Sequence, residues 1–113
     1  MATDKTGAET TVTAGTDRFT IAVDGQQVGL VDFVDHAGQR IFLHTEVKDA
    51  FEGRGLAGIL VSEALTATRD AGLRIVAVCT MVAGYLEKHH DFDDVVDPVT
   101  TDTKRFLQTV QSR

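Results

Sequence analysis

Cysteine is nearly absent: the 113 residues hold one, Cys79. A lone cysteine cannot form an internal disulfide, and no cysteine–histidine spacing matches a structural zinc site, so no bound metal is expected. Such sparing use of cysteine suits a reducing cytoplasm. Basic charge is also short, with 11 Lys and Arg against 17 Asp and Glu, a formal net charge of −6. That balance lacks the footprint of a nucleic-acid binder and favours cationic partners such as amines. No apolar stretch approaches the ~20 residues that a membrane helix needs, so no membrane partner is expected. The opening Met1-Ala2-Thr3-Asp4-Lys5 has no apolar core of a signal peptide, and residues 1–16 read as a floppy polar tail.

What is present is an ordinary globular composition, 42% apolar and 25% charged. It suffices for one core in one domain. Phe19 to Val23 alternates apolar and polar residues, then Asp24-Gly25 signals a hairpin turn with positive φ. Val28 to Val34 alternates again, with Val28 and Leu30 on one side and Val31 and Phe33 on the other. After a turn at Asp35–Gln39, Arg40 to Val47 forms a third strand. Period-two alternation would put Ile41, Leu43, Thr45 and Val47 on one face and Arg40, Phe42, His44 and Glu46 on the other. Three strands in this order make an antiparallel meander.

The period then changes. Ala57, Leu60, Val61, Ala64, Leu65 and Thr68 recur at helical spacing, which predicts a helix over 55–71 ended by Gly72. Arg74 to Cys79 reads as a buried central strand. Thr80 is placed as the cap of a following helix that ends near His89-His90. After acidic residues and Pro98, residues 102–111 form a last short helix. The fold class is therefore α/β (α+β): a mixed sheet built as an antiparallel meander followed by β-α-β-α, with helices on both faces. The domain is expected over 17–98, with 99–113 as a C-terminal helical segment.

Phe51-Glu52-Gly53-Arg54-Gly55-Leu56-Ala57 lies between a strand and a helix. Such a turn leaves backbone N–H groups and partial positive charge at a helix N-terminus, a place for a phosphate. The run fits neither G-x-x-x-x-G-K-[S/T] nor a full G-x-G-x-x-G. Taken alone, it could equally be a tight strand-to-helix turn.

In its context, HTEV, then GRGLA, then C-x-x-V-x-x-Y-L-x-x-H, the chain resembles the GNAT superfamily of acetyltransferases, and within it the short single-domain group called YjdJ-type. Cys79, Val82, Tyr85, Leu86 and His89 carry the second half of the match, and the resemblance covers about residues 17–96. It implies acetyl-coenzyme A as cosubstrate and an amine acceptor, on a small molecule or a protein. A non-catalytic coenzyme A-binding sensor or interaction module is the alternative. The family loop [Q/R]-x-x-G-x-[G/A] is met by Gly55 and Ala57, with Glu52 in the first position. The resemblance thus implies cofactor binding by Val47, Glu52, Gly53, Arg54, Gly55, Leu56 and Ala57. Arg54 would offset Glu52 by touching phosphate, and the Val47 N–H would face the thioester oxygen. Glu46 or His44 would take the amine proton, against the plainer alternative of a solvated strand face. Tyr85 would protonate the leaving thiolate, or else be a core aromatic. Cys79 is either a nucleophile in a two-step route or, as favoured, a structural or pocket-lining thiol. His89 and His90 point about 100° apart on a helix and read as a solvated helix end rather than a metal pair. The sequence leaves the oligomeric state open.

Overall fold

In the computed structural model, which describes residues 3–111, six strands form one sheet in chain order. They are β1 (Thr10–Ala14), β2 (Arg18–Val23), β3 (Gln26–His36), β4 (Gln39–Val47), β5 (Arg74–Ala77) and β6 (Val96–Asp97). β1 to β4 are antiparallel, whereas β5 runs parallel to β4 and β6 parallel to β5. Asp24 and Gly25 have φ of 48° and 87°, and Ala37 and Gly38 have 53° and 78°. Two successive left-handed residues give the twist that a two-residue hairpin requires. Three helices complete the chain: α1 (Leu56–Asp70), α2 (Thr80–Lys88) and α3 (Thr101–Gln111). Among the described residues no helix is long and apolar enough to cross a membrane.

The mixed sheet has helices on both faces, as its element order implies. On one face, Leu60, Val61, Ala64 and Leu65 of α1 and Val82 of α2 join Phe19, Ile21, Val31, Phe33 and Phe42 in the main core. On the other, Leu107 of α3 meets Ile41 and Val76 in a smaller cluster. Adjacent residues of β4 thus feed opposite cores. α1 buries Leu56 rather than Ala57, which is half-exposed. Buried Thr68 satisfies its hydroxyl on the Ala64 carbonyl, at 2.8 Å.

Two bulges shift the alternation read from sequence. Ile21 faces Gly29 while Ala22 faces Gln27, which leaves Val28 as an extra residue in β3. Val28 therefore joins Val31 and Phe33 in the main core instead of sharing a side with Leu30. In β4, Asp32 faces His44 while Phe33 faces Phe42, so Leu43 is extra. Phe42 and Val47 consequently share the main-core face, and His44 and Glu46 are exposed.

Residues 3–16 are not a floppy tail. β1 pairs with β2 along its whole length, Thr10 against Val23 through Ala14 against Phe19. A run of threonine and valine is polar in composition yet β-branched, and β-branched residues suit an edge strand. Residues 1–2 of the expected tail, and 112–113 of the expected C-terminal segment, lie outside the described residues.

Candidate active site

β4 and β5 part company within the sheet. Their pairing runs from Gln39 against Arg74 to Phe42 against Ala77. The Phe42 carbonyl then accepts both the Val78 N–H, at 3.1 Å, and the Cys79 N–H, at 2.8 Å. Beyond that point the chain turns into α2, with Cys79 rather than Thr80 in the capping position. β4 continues alone through Val47. On its other side, the Lys48 N–H donates to the Val28 carbonyl at 2.8 Å. In an antiparallel ladder alternate residues bond to the partner, so the Val47 N–H turns away from β3 toward the open edge.

α1 opens on Gly55, whose φ of 79° is left-handed and which offers no side-chain cap. The first N–H groups of a helix have no acceptor within it, so those of Leu56, Ala57 and Gly58 are left to other partners. Glycine is needed at 55 because other residues are strained in this conformation. Between the open edge of β4 and this helix end lies a cleft of about 690 Å³. Glu46, Val47, Glu52, Gly53, Gly55, Leu56 and Ala57 all line it. Sequence reasoning missed the other walls: Gln27 to Leu30 of β3, Thr45, Lys48, Asp49, Phe51, Gly58 and, from α2, Met81. Gly29 carried a usable signal, a glycine inside a strand, which often marks a close approach. A Cβ there would stand 2.9 Å from the Glu46 carbonyl and 3.2 Å from Val47 Cγ2.

Residues 18–95 match the model of the GCN5-related N-acetyltransferases. The chain belongs to this N-acetyltransferase family. A GCN5-like N-acetyltransferase structure from Staphylococcus aureus shares the fold, with a TM-score of 0.62 at 22% identity over 80% of this chain and 91% of that one. Protein NATD1 of Gallus gallus is 31% identical over 74 residues, 64% of this chain and 67% of that protein. An S-adenosylmethionine:tRNA ribosyltransferase-isomerase of Nitrobacter winogradskyi is 35% identical over 109 residues, yet the chain spans only 30% of its length.

Four residues expected at the N-acetyltransferase site lie outside the lining of this cleft. His44 sits on the exposed face, with Nε2 3.0 Å from Glu46 Oε1. Cys79 is buried, and its Sγ lies 3.2 Å from Thr45 Oγ1. Tyr85 is half-buried, its ring stacked on His89 at 4.2 Å. It stands one turn after Met81, on the same side of α2. Arg54 does not reach toward a phosphate. Its Nε donates to Asp4 Oδ2 at 2.7 Å, its Nη2 donates to Thr6 Oγ1 at 3.1 Å, and its guanidinium lies 4.9 Å from the Phe51 ring centroid. His90 faces Asp93, with Nδ1 3.1 Å from Oδ2.

The Asp4 carboxylate that captures Arg54 is itself buried. It also accepts from Thr6 Oγ1 at 2.6 Å, Thr6 N at 2.8 Å and Ala8 N at 3.0 Å. These donors, the Thr6 hydroxyl foremost, lower its pKa from 3.8 to about 2. A depressed carboxylate stabilises the fold fully above its unfolded pKa, and that contribution fades as pH falls through the folded value. The turn at residues 4–8 is therefore expected to hold at pH 5 and to release between about pH 4 and 2. Amide exchange at Thr6 and Ala8 followed across that range checks this, and unchanged protection at pH 2 would contradict it.

Proposed function

We propose that the chain transfers an acetyl group from acetyl-coenzyme A to an amine by direct attack. The observation that carries this is the continuity of one cleft from the edge of β4 beyond its pairing with β5 to the start of α1, where the first N–H groups have no acceptor within the helix. Such a surface suits a ligand with a diphosphate at one end and an extended arm of amides at the other. Acetyl-coenzyme A, when bound, supplies an acyl thioester activated toward nitrogen.

Leu56, Ala57 and Gly58 hold the diphosphate through their N–H groups. The Val47 N–H, on the open edge, faces the acyl oxygen and stabilises charge developing there. Glu46 lines the cleft and is exposed, so it takes the proton of the incoming ammonium. His44, 3.0 Å away, orients that carboxylate. Tyr85 donates a proton to the departing thiolate from the side of α2 that carries Met81. Cys79 is structural: its thiol is buried against the Thr45 hydroxyl. With Glu46 at the reacting end, the acceptor is a cationic amine.

Calorimetric titration with acetyl-coenzyme A tests the core of this proposal, and absence of both heat and thermal stabilisation at millimolar ligand would refute it. Binding without acetylation across a panel of amines and peptides would make the chain an acyl-coenzyme A-binding module instead. Glu46→Gln is expected to lower kcat/KM by about 100-fold at neutral pH. Cys79→Ala, assayed beside it, is expected to retain turnover, and its loss would restore the two-step route.

A further inference from the structure

We propose that the N-terminal turn is part of the ligand site and that Lys5 supplies the cation that meets the ligand's phosphates. The assignment rests on the acetyl-coenzyme A proposal. Among the described residues lining the cleft, Glu46, Asp49 and Glu52 are acidic and only Lys48 is basic. A phosphate-bearing ligand entering there meets an unfavourable field. Arg54, the cation of the loop itself, is committed to Asp4 and Thr6.

That same commitment delivers another cation. The Lys5 N–H donates to the Arg54 carbonyl at 3.0 Å. The Lys5 side chain then runs over Gly55: its Cε, Cγ and Cδ stand 3.3, 3.5 and 3.8 Å from where a Cβ at position 55 would lie. Gly55 lines the cleft and starts α1. The ammonium, one bond beyond Cε, is thereby set beside the helix end where the diphosphate binds. The buried Asp4 carboxylate anchors the turn on both sides of Lys5, through Arg54, Thr6 and Ala8. Arg54 is a positioning residue for Lys5 rather than a phosphate ligand.

The test is titration of the full chain with coenzyme A, comparing wild type, Lys5→Met and Lys5→Arg at about 20 mM and 1 M NaCl. Methionine keeps an aliphatic stem over Gly55 and removes the charge. At low salt Lys5→Met is expected to raise Kd about fivefold, the upper range of an exposed ion pair. Lys5→Arg should stay within about twofold of wild type, since the charge is kept. At 1 M NaCl, where the screening length is about 3 Å, the gap should close. Wild-type binding with an unchanged Kd in Lys5→Met, or a deficit indifferent to salt, overturns the Lys5 assignment and leaves the acetyl-coenzyme A proposal standing. No binding by wild type overturns both.

Discussion

Gly55→Val is expected to abolish coenzyme A binding in practice, weakening it by at least about 100-fold. Gly55 holds a φ of 79°, which a β-branched residue adopts only under strain. The backbone relieves that strain by rotating, and the amides that open α1 rotate with it. Two charge-assisted hydrogen bonds, each worth about 1.5–3 kcal/mol, would be lost or misaligned. The valine side chain would also enter the space of the Lys5 stem, whose Cε stands 3.3 Å from the Cβ position. Calorimetry of the folded variant measures the effect, with Gly55→Ala as an intermediate case. A Kd for Gly55→Val within about threefold of wild type would show that the diphosphate binds elsewhere.

Phe42→Ala is expected to cost about 3–5 kcal/mol of stability. The ring is fully buried, 6.1 Å from that of Phe33, and it sits where β4 and β5 separate. Its removal leaves a cavity beneath the fork of the sheet, where collapse is opposed by α1 and α2. In a domain of this size that corresponds to a fall of at least about 12 °C in the thermal midpoint. Urea denaturation reads the free energy directly. A loss under about 1 kcal/mol would mean that the fork is held by its backbone bonds alone.

Much of this architecture was legible in the residues. The hairpin turns, α1, β5 and α2 follow from Asp24-Gly25, from the spacing of Leu60, Val61, Ala64 and Leu65, and from the β-branched run at Ile75-Val76. The strand–glycine–helix loop was legible too, because glycine at a helix start has few physical purposes. Other features depend on contacts that no local pattern announces. Asp4 and Arg54 lie 50 residues apart, and nothing near either one foretells their pairing. Arg54 therefore read as a phosphate ligand when it is an anchor. β1 was hidden by its threonines, whose polarity outweighed their branching. Alternation alone puts His44 and Glu46 on the face of Phe42, because a bulge leaves no mark in the periodicity of one strand.

The bulge at Leu43 makes this site depend on counting as much as on chemistry. Upstream of it, the inward positions of β4 are even-numbered, as at Phe42; downstream, Val47 packs inward and Glu46 is exposed. Parity changes once, between the strand's anchor and its working end. Were the bulge lost with every residue kept, an unbroken alternation would turn the strand's working end inside out, burying the carboxylate and exposing the valine, although every amino acid type at the site would still be present.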